Sequence, residues 1–258
     1  MKNCLILYAG LTALLFTSCL TVYAKKTVPP PYVPKEEAYT DAGKQEKRFI
    51  VYYSPESKPV IDGTFSEWEG LESVHSRHMI YGGSFNPENT DGLFILRADN
   101  EYLYIYADIT DDEPQENAFP APQAWRDDSI EIFLGTDTSR HSTYKSTDHR
   151  IRIVPQNKKN RFAFDLSIDD VSVKESVKAA VVYSARGYKI EAAVPFSLLG
   201  LQRFRVGQPL RGDFQINDAD KGKERSRLTL WNGLKDNPYA DPSGWGNGIV
   251  SALSASKK

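Results

Sequence analysis

The chain has 258 residues but only two cysteines, Cys4 and Cys19, both at its N-terminal end. The body therefore has no disulfide bond, no cysteine-ligated zinc and no thiol nucleophile. A formal net charge of -2 shows no basic excess, so we expect no nucleic-acid partner. After the N-terminal stretch, no segment approaches the roughly 20 consecutive apolar residues that a membrane helix requires.

Catalytic and cofactor motifs are also missing from the sequence. Among the four histidines only His75 and His78 approach zinc-ligand spacing, and no partner set lies nearby. His78 and Met79 are the one candidate pair for haem ligation, but neighbouring residues on a strand point to opposite faces. The carboxylates form no glycosidase motif, and there is no Ser-His-Asp arrangement or phosphate-binding loop. We expect a protein that is not an enzyme.

Residues 1–24 have the pattern of an export signal, because Lys2 is followed by an apolar stretch that runs to Phe16. Two endings fit this signal. The first resembles a bacterial lipobox that would lipidate Cys19, and the second is a small-residue cleavage site that ends at Ala24. We favour lipidation at Cys19, since a free thiol in an exported chain invites unwanted pairing.

Residues 25–47 are polar and proline-rich, which predicts an extended tether. The expected location is the outer membrane, the cell surface or the periplasm as a lipoprotein, or otherwise secretion. Membrane association is expected only through the N-terminal lipid anchor.

Residues 48–258 have the pattern of an all-β domain. Fourteen tyrosines and fifteen prolines against two methionines favour strands and turns. Strict alternation over residues 102–109 predicts a strand with one buried face and its tyrosines on the outer face. Further strands are predicted at 48–53, 93–98, 129–134, 150–154, 162–166, 179–183, 188–194, 213–217, 227–231 and 249–253. These short strands predict an antiparallel two-sheet β-sandwich.

The stretch 125–133 places a large aromatic, Trp125, at the mouth of a strand with a central carboxylate. Ser129, Glu131 and Phe133 point to one face, and the residues between them point to the other. Because an unpaired carboxylate is costly to bury, Glu131 is expected on a wet or hydrogen-bonding face. An aromatic plane beside fixed polar groups suits a sugar, whose C–H face stacks on the ring while its hydroxyls form directed hydrogen bonds.

An ordered set of motifs runs through the body. It comprises Ile61-Asp62-Gly63 with Trp68, LYIYAD (103–108), WRDDSIEIF (125–133), YKIEAAVP (188–195), FQIND (214–218), and a late LW (230–231), DP (241–242) and GN (246–247). The set resembles the carbohydrate-binding module family 9 and its family-9-like relatives, from about Phe49 to Ser251. The resemblance implies a β-sandwich of jelly-roll type that binds sugars without cleaving them.

In the sugar-binding members of this family, two aromatic residues clamp a terminal sugar. The resemblance places the first at Trp125 and the second at Tyr239, just before Asp241-Pro242. The polar partners that it implies are Glu131, Arg152, Gln215 and Asn237. Strand alternation agrees, since an arginine and a carboxylate on facing strands can pair and read vicinal hydroxyls.

The family often carries structural calcium, and the stretch 111–113 (Asp-Asp-Glu) offers clustered oxygens that suit this ion. An acidic solvated turn predicts the same sequence, so no ligand is assigned. We expect non-catalytic capture of an oligosaccharide or polysaccharide. The alternative is an envelope structural or adhesin module with the same fold and no sugar pocket; a haem-binding electron-transfer subunit and a glycan-active enzyme rank lower.

Overall fold

The computed structural model describes residues 48–115, 119–220 and 224–253. The predicted export signal and tether, including Cys19, lie outside these residues. The strands are β1 (Arg48–Tyr53), β2 (Val74–His75), β3 (His78–Tyr81), β4 (Thr90–Ala98), β5 (Tyr102–Asp111), β6 (Ser129–Gly135), β7 (Asp148–Pro155), β8 (Phe164–Ile168), β9 (Val171–Ser172), β10 (Lys178–Ser184), β11 (Gly187–Pro195), β12 (Pro209–Asp218), β13 (Arg227–Leu230) and β14 (Gly246–Ala252).

Helical structure in the described residues is confined to short 3-10 segments. They span Ser66–Trp68, Ala121–Arg126, Lys174–Ser176, Phe196–Leu199 and Pro242–Gly244. No helix in this part of the chain has the length and apolar character needed to cross a membrane.

The strands form one continuous hydrogen-bonded sheet, in the order β10-β11-β5-β4-β1-β14-β12-β6-β7-β8-β9. The sheet curls into two layers that join at β1. The first layer contains β10, β11, β5 and β4, and the second contains β14, β12, β6, β7, β8 and β9. Phe94 of β4 packs against Phe214 of β12 with ring centroids 5.2 Å apart, so the layers face each other across a shared core. The predicted all-β sandwich is confirmed, as one curled sheet rather than two separate ones.

Strand direction departs from the prediction at β1. Most neighbouring strands are antiparallel, but β1 runs parallel to both β4 and β14. A tight hairpin forces its two strands to be antiparallel, whereas β1 reaches β4 through the long connection 54–89. The prediction of purely antiparallel pairing was therefore wrong for this strand.

The core between the layers contains a cluster of aromatic rings around β1. Phe49 lies edge-on to Phe214 and Trp231, with centroids 5.4 and 5.8 Å away. Its ring fits because Gly212 and Gly248 have no side chain, and a β-carbon at Gly248 would overlap it. Trp231 is thus a packing residue of the core.

The tyrosines of β5 lie on the outer face, as predicted, but this face is covered. Tyr104 and Tyr106 are buried, and Trp68 stacks on Tyr106 with ring centroids 5.4 Å apart. Buried Glu191 holds this cover by accepting a hydrogen bond from Trp68 Nε1 at 3.4 Å and from two backbone N–H groups of the preceding turn. Alternation along β5 could not reveal the cover, because the covering residues come from a distant part of the chain.

Candidate functional site

A row of polar side chains crosses the outer face of the second layer, opposite the core. Gln215 of β12 is paired directly with Glu131 of β6, and Glu131 with Arg152 of β7. Their strand neighbours Ile130 and Ile132 point into the core, so the row lies on the other face. The fold therefore brings three residues that were predicted from distant stretches of sequence into one line.

Glu131 and Arg152 form a buried ion pair at the centre of this row. Arg152 Nε donates to Glu131 Oε1 at 2.9 Å, and the side chains are 1% and 2% exposed. Asn217 Nδ2 donates to the same oxygen at 3.1 Å. The expected pairing of arginine and carboxylate is observed, and these contacts offset the large cost of removing both charges from water.

Two atoms in the row have no hydrogen-bond partner within the described chain, although both are buried. They are Arg152 Nη2, which is a donor, and Gln215 Oε1, which is an acceptor. An unmet buried polar atom costs about 1–3 kcal/mol, and native proteins rarely leave one without a reason. A hydroxyl group both donates and accepts, so a polyhydroxylated ligand can satisfy both atoms.

Trp125 is carried onto this face by the segment Ala121–Arg126. The segment is held to the row because Arg152 Nη1 donates to the carbonyl of Ala121 at 3.0 Å. Trp125 itself remains 37% exposed, and the guanidinium of Arg225 lies 4.9 Å from its ring centroid. Arg225 also donates to Asn217 Oδ1 at 3.0 Å, which ties the ring to the polar row.

Tyr239 lies in the loop 231–245, between β13 and β14, and is 51% exposed. The guanidinium of Arg150 lies 6.0 Å from its ring centroid, and Arg150 Nε is 3.9 Å from Glu131 Oε2. Each predicted aromatic thus stands beside an arginine, and both arginines connect to the Glu131 network.

The loop that carries Tyr239 is anchored at several points. At its start, Asp213 accepts hydrogen bonds from the backbone N–H groups of Asn232 and Gly233, and burial raises the pKa of Asp213 to about 6. Immediately before Tyr239, the carbonyl of Pro238 accepts from Tyr144 Oη at 3.0 Å and from Trp245 Nε1 at 3.1 Å. Trp245, which the sequence leaves unassigned, is therefore a buried anchor.

Asn237 is the predicted site residue that the structure does not connect to the row. Its side-chain amide donates to Asp241 at 3.4 Å, within its own loop. The neighbouring Asp236 does reach the site, since it accepts from Arg225 Nη2 at 2.6 Å.

Sequence reasoning assigned no role to Asp170 and Arg225. Asp169 and Asp170 form the turn between β8 and β9, with φ angles of 50° and 68°. Positive φ is uncommon outside glycine, although aspartate tolerates it better than most residues. This turn places Asp170 Oδ1 3.1 Å from Arg152 Nη1. Paired aspartates between strands are a turn signal, but only the hairpin register shows which arginine they meet.

A second polar cluster, the acidic cluster, lies at the ends of the strands. Carboxylate oxygens of Asp111, Asp128 and Asp218 lie within 4.8 Å of one another, and all three residues are buried. Asp111 forms a second such group with Asp112 and Asp220. Asp111 and Asp112 come from the stretch 111–113, which the sequence analysis considers for calcium. The other members of the two groups, Asp128, Asp218 and Asp220, come from distant segments of the chain.

The acidic cluster has more negative charge than its surroundings balance. Burial, reinforced by neighbouring carboxylates, raises the pKa of Asp218 to about 8, that of Asp111 to about 6, and that of Asp128 well above its ordinary value. Arg227 Nη1 lies 3.5 Å from one oxygen of Asp218, while the other oxygen, Oδ1, is buried and has no hydrogen-bond partner among the described residues. Clustered carboxylate oxygens with an unmet acceptor are a donor set that fits calcium.

Comparison with known proteins agrees with this architecture. Residues 61–252 match the family described as "Carbohydrate family 9 binding domain-like". The chain is 27% identical over 194 residues to the exoglucanase XynX of Acetivibrio thermocellus; the match covers 75% of this chain and only 16% of that enzyme.

Two solved structures are similar as well. Both are of a carbohydrate binding module family 9 from Caldicellulosiruptor kristjanssonii, one in complex with cellotriose and one with glucose. Each is 26% identical to this chain, with a TM-score of 0.63. The match covers 82% of this chain for the cellotriose complex and 81% for the glucose complex, and it covers 97% of each solved chain.

Proposed function

Because the chain belongs to the carbohydrate family 9 binding domain-like family, we propose that it binds oligosaccharides without cleaving them, on the outer face of β6, β7 and β12. Family 9 modules with 26% identity are described with cellotriose and glucose, which supports a glucose-type pyranose as the ligand. The observation that carries the proposal is the buried row with an unmet donor and an unmet acceptor beside two exposed aromatics.

Each residue has a specific role in this proposal. Trp125 and Tyr239 clamp the pyranose, with Arg225 supporting the ring of Trp125. Arg152 Nη2 donates to one sugar hydroxyl, and Gln215 Oε1 accepts from another. Glu131 holds the arginine in place, and Asn237 offers its amide from the loop. Because desolvating hydroxyls offsets much of the gain, we expect affinity of about micromolar order.

The test is isothermal titration calorimetry with cellotriose and with glucose. We expect Trp125→Ala to weaken binding by about 30-fold or more, since truncating a stacked aromatic removes a central contact. Tyr239→Ala is also expected to weaken sugar binding. Tyr81→Ala is the matched control, because Tyr81 is about as exposed as Tyr239 but lies on β3, a strand that contributes no residue to the polar row.

Two outcomes would contradict the proposal. Equal loss in Trp125→Ala and Tyr81→Ala would show that the aromatics of this face have no special role. No binding of either sugar by the unaltered protein, with the fold intact by circular dichroism, would support an envelope structural or adhesin module instead.

We also propose that Asp111, Asp128 and Asp218 hold a structural calcium ion, with Asp112 and Asp220 beside them. When bound, the ion would neutralise the repulsion among carboxylates that otherwise lie buried together. Asp128 comes directly before β6 and three residues after Trp125. Neutralising it would therefore steady the segment that carries this ring.

For the location, we propose export and lipid anchoring at Cys19, followed by the tether 25–47. The supporting observation is the apolar stretch before the lipobox-like sequence. Labelling of cells with a fatty-acid analogue should mark the full-length chain and leave Cys19→Ala unmarked. Equal labelling of both, or of neither, would overturn lipidation.

A further inference from the structure

An open groove lies at the far edge of the first layer, away from the row of Glu131 and Arg152. It has a volume of about 440 Å³ and is formed by the connection between β7 and β8 together with edge strand β10. Three of its lining residues are cationic, and none is acidic. The residues that matter here are Gly63, Lys158, Lys159, Arg161, Phe162 and Tyr183.

Local hydrogen bonds give this groove a defined shape. Val181 N on β10 donates to the carbonyl of Arg161 at 2.6 Å, which fastens the connection to the strand edge. Asn160 Oδ1 accepts from the backbone of Phe162 at 3.1 Å. Gly63 leaves room for the stem of Arg161, because a β-carbon there would lie 3.1 Å from Arg161 Cδ.

Two cations of the groove lie beside aromatic rings. The guanidinium of Arg161 lies 5.1 Å from the ring centroid of Phe162, and Lys158 Nζ lies 5.8 Å from that of Tyr183. Phe162 is 53% exposed, so its ring is available to a ligand. Such a combination offers an apolar plane for a ring and a positive charge beside it.

Two of the three cations in this groove, Lys159 and Arg161, differ from the arginines of the polar row in their ion pairing. On the row, Arg150, Arg152 and Arg225 each contact a carboxylate. Within the described chain, neither Lys159 nor Arg161 has a carboxylate within ion-pair distance. A groove that is positive, shaped and partly aromatic favours an anionic ligand with a flat apolar side.

We propose that this groove is a second carbohydrate site, which binds a sugar that bears an anionic group. The sugar ring lies against Phe162, and its carboxylate or sulfate pairs with Arg161 and Lys159. The site belongs to the connection 156–163 and to β10, and the row belongs to β6, β7 and β12. Binding here is therefore independent of Trp125.

The experiment measures binding of trigalacturonate and of a sulfated disaccharide by calorimetry at low ionic strength, with cellotriose as the neutral probe. The double variant Lys159→Ala, Arg161→Gln should bind the anionic sugars about tenfold more weakly and leave cellotriose binding unchanged. Lys174→Ala, Arg205→Gln removes the same charge from exposed positions elsewhere and is expected to bind as the unaltered protein does. Trp125→Ala should retain anionic binding.

Each outcome decides the proposal. Binding of both anionic probes, or of one of them, with loss in the groove variant alone supports it, and the better probe identifies the anionic group. Equal loss in the two double variants would reveal a general charge effect and overturn the proposal. Loss in Trp125→Ala would assign the anionic sugar to the row, and no anionic binding by the unaltered protein would also overturn it.

Discussion

The polar row and the acidic cluster both include residues of β12 and residues in or next to β6, but their charges are balanced differently. Glu131 of β6 lies three residues after Asp128, and Gln215 lies three residues before Asp218 on β12. In the row, Glu131 meets Arg152, Arg150 and an amide, so its charge is matched. In the acidic cluster, carboxylates crowd together and burial raises the pKa of Asp218 to about 8.

This difference indicates what each region can bind. A balanced network leaves only single donors and acceptors unmet, which suits a neutral hydroxylated ligand. An unbalanced cluster needs protons or a cation before it is stable. Changes to either region therefore test the contrast between them.

The largest effect is expected from Arg152→Met. This change leaves Glu131 buried without its closest cation, and breaking a buried pair in this way costs about 3–5 kcal/mol. Urea unfolding measures the loss. The double variant Glu131→Gln, Arg152→Met should lose much less than Arg152→Met alone, because no unpaired charge remains. If Arg152→Met lowers the free energy of unfolding by less than about 1 kcal/mol, the ion pair with Arg152 is not what compensates the buried charge of Glu131.

Removal of calcium should produce the next effect. At calcium about 100-fold above its Kd, binding contributes about 2.7 kcal/mol, so chelation should lower Tm by roughly 5–10 °C for a domain of this size. Differential scanning calorimetry with and without chelator measures the shift. Asp128→Asn should show a much smaller shift, and an identical shift in the two proteins would exclude the acidic cluster as the calcium site.

The metal-free protein should lose stability as pH rises. The pKa values of Asp111 and Asp218 are raised in the folded state to about 6 and 8, so the folded chain binds these protons more tightly than the unfolded chain. That stabilisation is present at low pH and is lost as pH rises through these values.

Asp218→Asn should therefore raise the Tm of the chelated protein at about pH 8 and have less effect at about pH 5. With calcium present, the same change should lower Tm, because a ligand is lost. Thermal melts in both conditions measure this reversal, and a change of one sign throughout would contradict the interpretation.

The smallest effect is expected from Tyr144→Phe. The change removes one of two donors to the carbonyl of Pro238, at a cost of about 1 kcal/mol, and the donor of Trp245 remains. Because this carbonyl precedes Tyr239, cellotriose affinity should fall severalfold. Calorimetry measures the fall, and Tyr53→Phe, which removes a hydroxyl bonded to Asn100 away from the loop, is the control. Equal affinities in the two variants would exclude anchoring of the clamp by Tyr144.

Much of the fold could be predicted because strand alternation is a local signal. The predicted strands correspond to β1, β4 to β8 and β10 to β14, while the short strands β2, β3 and β9 were missed. Val74–His75 and Val171–Ser172 have only two residues each, too few to show a period. The parallel pairing of β1 was also beyond prediction, since no turn sequence records it.

Sequence patterns alone are enough to predict a β-sandwich, partners for Glu131 and the position of Trp125 at the mouth of a strand. These conclusions follow from alternation and from the cost of burying charge, which act locally. The folded chain is needed to show that Gln215, Glu131 and Arg152 form one row. It is also needed to show that Asp111, Asp128 and Asp218 converge. Strand register sets those contacts between residues far apart in the chain, and a shift of one position would send each side chain to the other face.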